Sequence, residues 1–159
     1  MRFIYFVIVV VFLSACDDAR VYETNYDFEN RYWVVQEKPS FQFVVEDTTQ
    51  VYNLYCNLRN SVSYPYTRIF VSYVLRDSVG IELKKELISQ NLFDQKTGQP
   101  MGTSGLGDIY DQQMPLMQNF RFTKTGKYSI QFEQFMRTDT LQGILAVGLR
   151  VERALPSDN

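Results

Sequence analysis

The stretch that decides the fold is VYNLYCNLR, residues 51–59. Its apolar side chains recur at every second position, and a period of two places them on one face of an extended strand. That face carries Tyr52, Leu54, Cys56 and Leu58. The opposite face is mostly polar, and we expect it to meet solvent or a ligand. The pattern therefore predicts a half-buried β-strand.

Further strands are predicted on both sides of this stretch. The chain contains 11 Tyr and 12 Phe and shows little helical periodicity, a composition typical of β-proteins. The predicted strands cover residues 31–35, 41–45, 69–75, 80–87, 108–114, 117–122, 128–136 and 145–152. A short helical turn at 87–92 is an alternative, and residues 94–107 are predicted to be a loop. About eight strands with tight turns predict an all-β, antiparallel β-sandwich of jelly-roll type.

The N-terminal residues have the order of a lipoprotein signal peptide. Arg2 precedes an apolar run at 3–13, and small residues then lead to Cys16. The run is shorter than the about 20 apolar residues that span a membrane. Bacterial lipoproteins are cut directly before a cysteine that receives lipid chains, so Cys16 is the predicted lipidation site. The alternative is an ordinary signal peptide with a cysteine there by chance.

Four segments are predicted from these features. Residues 1–15 form the removed signal peptide, 16–30 a lipidated N-terminus and tether, 31–153 one β-sandwich domain, and 154–159 a polar tail. Lipid chains hold a protein at a membrane surface without taking its domain into the bilayer. The predicted location is therefore the cell envelope, on the outer membrane or on a periplasm-facing membrane surface.

The composition argues against several classes of function. The chain has no histidine, which removes Ser-His-Asp catalysis and His-ligated zinc. Its formal net charge of −2, without a cluster of Lys or Arg, argues against nucleic acid as a partner. With Cys16 lipidated, Cys56 has no disulfide partner and is predicted to be a small buried hydrophobic residue. No cofactor is predicted.

Acidic residues offer alternatives in metal binding and catalysis. Glu133 and Asp139 are the candidates for a pair of catalytic carboxylates, whose chemistry needs no histidine. The GLGD sequence at 105–108 is interpreted as the start of a hairpin, because no helix follows that could bind phosphate. Candidate calcium ligands, which lack the close alternation of an EF-hand loop, are Asp77, Asp94, Asp108 and Asp111. The chain is predicted not to be an enzyme.

Four residues are candidates for specific contacts with a partner, and they are Arg59, Tyr66, Arg137 and Arg150. Arg59 lies on the polar face of the 51–59 strand. An arginine that loses water needs acceptors, so acidic partners within the domain are the default explanation for the arginines. The tyrosines between residues 52 and 73 form a stripe that is interpreted as sandwich core rather than as a sugar-binding surface.

Several segments of the chain share a pattern with one bacterial family. They are CD at 16–17, RVYE at 20–23, Trp33, DT at 47–48, NLYCNLRN at 53–60, YPY at 64–66, residues 102–111, residues 136–144 and VGLRVE at 147–152. Together they resemble the GldH-type gliding-motility lipoproteins. The resemblance implies a lipid-anchored component needed for gliding, in bacteria whose motility is tied to a dedicated protein-secretion system. It implies no catalytic residues.

Three functions are compatible with these observations. The first is a non-catalytic structural or interaction protein, tethered through Cys16, that binds other gliding and secretion proteins of the envelope. A tether raises the local concentration of the domain near membrane-bound partners. The second is a glycan- or polymer-binding lipoprotein of a nutrient-uptake complex, which exposed coplanar aromatic rings would favour. The third is a hydrolase with two carboxylates about 5–10 Å apart.

Overall fold

A computed structural model describes residues 19–154, and within them the structure consists of strands, turns and irregular segments without a helix. The predicted signal peptide, Cys16 and the end of the polar tail lie outside the described residues. The strands are β1 (Arg20–Asp27), β2 (Tyr32–Val34), β3 (Ser40–Val45), β4 (Tyr52–Ser61), β5 (Arg68–Arg76), β6 (Glu82–Asn91), β7 (Thr103–Ser104), β8 (Ile109–Phe120), β9 (Gly126–Gln134), β10 (Thr140–Gln142) and β11 (Ile144–Arg153).

The long strands pair in the nested order of a jelly roll. Of the eight strands with six or more residues, the first pairs with the last, the second with the seventh, and so on inwards: β1 with β11, β3 with β9, β4 with β8, and β5 with β6. All these pairs are antiparallel. They form one sheet in the order β1-β11-β4-β8-β7 and a second in the order β3-β9-β5-β6. The predicted jelly-roll sandwich is confirmed.

The hydrophobic core lies between the two sheets and follows the alternation in the sequence. On β4 the predicted apolar face is buried at Tyr52, Leu54, Cys56 and Leu58. Trp33 is fully buried, and its indole Nε1 donates a hydrogen bond of 2.7 Å to the Glu37 carbonyl. The period of two therefore assigned this inward face correctly. Within residues 19–154 we find no apolar helix of membrane-spanning length.

The predicted tether at 16–30 is corrected by the structure, because residues 20–27 form β1. This strand is hydrogen-bonded to β11, with Arg20 opposite Glu152 and Asp27 opposite Ala146. It lies at the edge of its sheet, and nearly all of its side chains are exposed. An edge strand held by backbone hydrogen bonds carries little apolar alternation, which explains why the pattern missed it.

Three further predictions of strand boundaries were wrong. Pro115 does not end a strand, because irregular pairing near Tyr55 and Leu54 absorbs extra residues and β8 runs on through it. Residues 137–143, which the sequence predicts as a turn between the strands at 128–136 and 145–152, contain β10, and β10 pairs with β2 as a small separate sheet. The loop at 94–107 contains β7, which pairs with β8. β10 pairs with a strand more than 100 residues away in the sequence, whereas β7 forms a local hairpin with the start of β8.

The two ends of the sandwich carry different features. One end, which we call the proximal end, carries Ala19 and the connections 46–51, 77–81 and 121–125. β1 begins at this end. The distal end carries the connections on the other side, with β4 ending at Ser61 and β8 beginning at Ile109 opposite it. Each candidate site can be placed relative to these two ends.

Candidate functional site

The four predicted contact residues fall into two separate places. Arg59 and Arg150 lie on the outer face of the five-stranded sheet. Tyr66 and Arg137 line a groove at the distal end of the four-stranded sheet. The four residues therefore fall into two pairs. The surroundings of the first pair are polar, and those of the second are largely apolar.

The first place, which we call the polar face, is built by outward side chains of four neighbouring strands. Because opposite residues of paired strands share a face, β1, β11, β4 and β8 contribute adjacent rows. These side chains are Glu23, Asn25, Tyr55, Asn57, Arg59, Asp111, Gln113, Arg150 and Glu152. A shallow depression of about 370 Å³ lies between them, with Ala146 in its lining.

Glu23 is the centre of the hydrogen bonds on the polar face. Its carboxylate accepts from Arg20 Nη1 at 2.9 Å, from Asn57 Nδ2 at 2.9 Å and from Arg150 Nη1 at 3.2 Å. Partial burial works to raise the pKa of Glu23, but these donors and the charge of Arg150 outweigh it and hold the pKa below its usual value. Glu23 is therefore held as an anion.

The arginines of the polar face have acidic partners within the domain, as the default explanation expected. Arg59 donates to both carboxylate oxygens of Asp111, at 2.8 and 3.3 Å, and this hydrogen bonding raises the pKa of the Arg59 guanidinium. Arg150 Nε donates to Glu152 Oε2 at 2.9 Å, in addition to its contact with Glu23. Charges on this face are thus balanced by near neighbours.

Gly148 forms the close contact between β1 and β11. A Cβ atom at this position would lie 1.9 Å from Asn25 Oδ1 and 2.7 Å from the Thr24 carbonyl oxygen. Only glycine leaves room for this approach. The floor of the polar face is therefore low at Gly148 and Ala146, and polar side chains stand around it.

The second place is an apolar groove of about 490 Å³, which we call the distal groove. Phe135 is its most prominent side chain and is 61% exposed. Its backbone N–H donates to the Phe70 carbonyl at 2.9 Å, which continues the pairing of β9 with β5 past the end of the strand. The lining residues are Tyr66, Phe70, Leu87, Phe135, Met136 and Arg137.

Three of the five tyrosines in the stripe are core, as predicted, whereas Tyr55 lies on the polar face and Tyr66 is exposed. Tyr52, Tyr64 and Tyr73 are buried. The hydroxyls of Tyr52 and Tyr64 donate to the carbonyls of Asp47 and Arg68, and that of Tyr73 donates to Glu86 Oε2 at 2.9 Å. Tyr66 is exposed and packs edge-on against Tyr64, with ring centroids 5.7 Å apart. These tyrosines do not form the row of coplanar exposed rings that would favour sugar binding.

Four of the six candidate carboxylates have partners within the domain. Asp77 Oδ1 accepts from the backbone N–H groups of Val79 and Ile81, and Asp94 Oδ1 accepts from those of Lys96 and Thr97. Asp111 is paired with Arg59, and Glu133 Oε1 lies 3.0 Å from the Lys38 ammonium. Across residues 19–154, we find no group of three acidic or cysteine side chains arranged to hold a metal ion.

Two groups of residues were missed by sequence reasoning. Glu23 was assigned to a tether, so its place among the arginines went unseen. Phe135 was read as part of a continuing strand, although Tyr128, Ile130, Phe132 and Gln134 point inward and an apolar residue at 135 must then point outward. That break in the alternation was the available signal for the distal groove.

Comparison with known proteins gives consistent results. The family model described as GldH lipoprotein matches residues 20–151. A "Gliding motility lipoprotein GldH homolog" of Christiangramia forsetii is 29% identical over 165 positions, which cover 97% of this chain and 94% of that protein. "Gliding motility lipoprotein GldH" of Flavobacterium johnsoniae is 27% identical over 156 positions, covering 92% of each.

Solved structures give a weaker similarity. The structure of the infectious bursal disease virus Gx strain matches with a TM-score of 0.38 and 9% identity. The match covers 89% of this chain and 31% of the viral chain, so this chain spans about a third of that protein.

Proposed function

The chain belongs to the GldH lipoprotein family, and from that premise we propose that it is a non-catalytic component of the gliding apparatus that works by binding other envelope proteins. The family match over residues 20–151 is the observation that carries the proposal. The relatives named for gliding motility align with nearly the whole chain. The protein is a membrane-anchored lipoprotein of the cell envelope, and Cys16 is the proposed attachment point of the lipid.

The state of the ionisable groups supports a role without catalysis. A general acid needs a raised pKa to hold its proton near neutral pH. Within residues 19–154, four carboxyl groups have a shifted pKa, and in all four the pKa is lowered. These groups are Glu23, Asp47, Glu86 and Asp94. Burial raises the pKa of the Cys56 thiol, which keeps it protonated and unreactive.

The distal groove supports binding of a protein partner. Large apolar side chains that stay exposed together mark interaction sites more often than isolated ones do. Here Phe135, Leu87 and Tyr66 are exposed around one groove, with Arg137 at its rim. A partner segment with an apolar anchor and a neighbouring acidic group fits this combination. The groove lies at the end of the domain opposite Ala19, where a neighbouring envelope protein has access.

The test compares two full-length variants in a gliding bacterium. Phe135→Asp places a charge in the distal groove, whereas Leu106→Asp places the same charge at another exposed apolar position of the distal end. Crosslinking in intact cells, followed by purification and mass spectrometry, should recover gliding or secretion proteins with the wild type and with Leu106→Asp. Phe135→Asp should lose them and lose colony spreading. Recovery of the same proteins and full spreading with Phe135→Asp would contradict the proposal.

A second candidate is binding of a glycan on the polar face. The supporting observation is the set of amide side chains, Asn25, Asn57 and Gln113, around the low floor at Gly148. Amides and charged groups of this kind hydrogen-bond to sugar hydroxyls. Full-length protein on a glycan array should then show binding that Asn57→Ala weakens and Phe135→Asp leaves unchanged. Absence of binding by the wild type to any glycan of the array would remove this candidate.

A further inference from the structure

The turn between β5 and β6 presents apolar side chains to the outside of the proximal end. Val79 is 77% exposed and Ile81 is 58% exposed, and Leu83 follows them as a third exposed apolar residue. Turns on protein surfaces usually carry polar residues. Three exposed apolar residues at alternating positions in one hairpin therefore indicate a surface that makes contact with something apolar.

The turn has a defined shape, so the exposure of these residues is set by its geometry. Asp77 Oδ1 accepts hydrogen bonds from the N–H groups of Val79 and Ile81, at 3.1 and 2.9 Å. The Asp77 N–H donates to the Ile81 carbonyl at 3.0 Å, and Gly80 adopts a positive φ of 86°. Because the backbone is fixed in this way, Val79 and Ile81 project outward from a stable hairpin.

The proximal end is also the end from which the lipid anchor leaves the domain. Arg20 opens β1 opposite Glu152, and Arg153 lies opposite Tyr52 at the start of β4. Cys16 precedes Ala19 by three residues, and a chain extends at most about 3.6 Å for each residue, or roughly 11 Å in all. A lipidated Cys16 therefore holds this end of the sandwich close to the membrane surface.

The position of the hairpin relative to β1 is given by the sheets. On the four-stranded sheet, Val45 at the end of β3 lies opposite Gly126, and Arg76 lies opposite Ser129 of the same β9 strand. The turn at 77–81 is thus on the same side as the connection 46–51, which leads into the proximal end of β4. The hairpin and the start of β1 therefore occupy the same end of the sandwich. β9 lies between β3 and β5, which places β5 about 10 Å from β3.

Basic residues accompany the apolar ones at this end. Lys85 follows the hairpin on β6, and Lys124 and Lys127 lie in and next to the connection between β8 and β9. Lysine side chains near a bilayer are attracted to anionic lipid headgroups. The hairpin also carries Asp77 and the exposed Glu82. The apolar side chains therefore provide the contact, and the lysines add attraction to anionic headgroups.

We propose that the β5–β6 turn contacts the lipid surface beside the anchor, with Val79 and Ile81 among the headgroups, so that the domain is held at two points. This inference rests on the proposed lipidation of Cys16. Two points of attachment restrict the rotation of the domain about its tether. The distal groove then faces away from the membrane, where a partner protein can reach it.

The test uses full-length lipidated protein reconstituted in vesicles of phosphatidylethanolamine and phosphatidylglycerol. Val79→Cys carries a polarity-sensitive fluorophore, and Val62→Cys carries the same fluorophore as the matched control. Val62 is an exposed valine, 45% accessible, beyond the distal end of β4. The ten residues of β4 separate the two ends by roughly 33 Å. The buried thiol of Cys56 is not expected to react with the label.

The outcomes distinguish failure of the membrane contact from failure of the lipid anchor. In the vesicles, the emission of the probe at position 79 should lie to the blue of the emission of the probe at position 62. Nitroxide-labelled phospholipid should then quench the probe at position 79 and leave the probe at position 62 unaffected. Protein that stays on the vesicles while both probes remain quenched by iodide in the water phase would overturn the membrane contact alone. Protein that carries no acyl chain and remains in the aqueous phase would overturn the anchor, and with it this inference.

Discussion

The side chains of Arg59 and Asp111 meet across β4 and β8, with Arg59 Nε 2.8 Å from Asp111 Oδ1, although 52 residues separate them in the chain. The two residues are directly opposite each other in the strand register. Their side chains are 44% and 46% exposed. Water therefore competes for both charges, and the pair contributes more to the charge pattern of the polar face than to stability.

Replacement of Arg59 should have little effect on folding. Exposed ion pairs contribute about 0–1 kcal/mol, so Arg59→Ala should lower the free energy of unfolding by less than about 1 kcal/mol. Urea denaturation of the wild type and the variant measures the difference. A loss several times larger would mean that Arg59 has a structural role that its exposure does not suggest.

The free energy of unfolding should depend on pH in the acidic range because of Glu23 on the polar face. The pKa of Glu23 is lower in the folded protein than its usual value of 4.5. Its stabilising contribution is therefore complete above about pH 4.5 and is lost as the pH falls through the folded-state pKa. Glu23→Gln should be less stable than the wild type at pH 7, and the two should converge in acid. Parallel curves of unfolding free energy against pH would contradict this account.

How much was predictable from the sequence differs from strand to strand. β4 was predictable because Tyr52, Leu54, Cys56 and Leu58 alternate with polar residues and all four are buried. β1 was not, because its side chains are nearly all exposed and its order comes from backbone hydrogen bonds to β11. Side-chain patterns record burial, and an edge strand has little of it.

Tyr73 should contribute to the joining of the two sheets. Its hydroxyl donates to Glu86 Oε2 at 2.9 Å and lies 3.3 Å from the Leu116 carbonyl oxygen on the facing sheet. Tyr73→Phe should cost about 1–2 kcal/mol, because the Glu86 carboxylate loses its donor and the polar contact with the Leu116 carbonyl is lost as well. The pKa of Glu86, which the hydrogen bond from Tyr73 lowers, should rise in the same variant.

Thermal or chemical unfolding and NMR titration measure the two effects of Tyr73→Phe. Tyr66→Phe is the matched control, since Tyr66 is exposed and its change should stay within about 0.5 kcal/mol. Equal stability of the two variants, with an unchanged pKa of Glu86, would show that the Tyr73 hydroxyl contributes nothing.

Gly148 should tolerate no side chain. A Cβ atom there would overlap Asn25 Oδ1 at 1.9 Å and the Thr24 carbonyl oxygen at 2.7 Å. The carbonyl belongs to the backbone, so relief requires movement of β1. Gly148→Ala should cost about 1–3 kcal/mol and increase hydrogen exchange along β1. An alanine variant with unchanged stability and exchange would refute the close packing of the two strands.

The candidate sites were less predictable than the strands. Arg59 was identified because it lies on the polar face of a recognisable strand, and Arg150 because it lies at the final strand pair. Their partners Asp111 and Glu23 come from distant parts of the chain. Tyr66 and Arg137 come together only because β5 and β9 are neighbours. Pairing between strands far apart in sequence leaves no local pattern, so the grouping of these residues required the structure.

The central claim is that the protein acts by contact while it is held at the membrane by a lipid on Cys16. The most direct measurement is colony spreading of a gliding strain whose only copy carries Cys16→Ser, with the amount and location of the protein followed by membrane fractionation. The account predicts a folded protein that is absent from the membrane fraction and colonies that do not spread. Full spreading by cells in which the protein has left the membrane would contradict it.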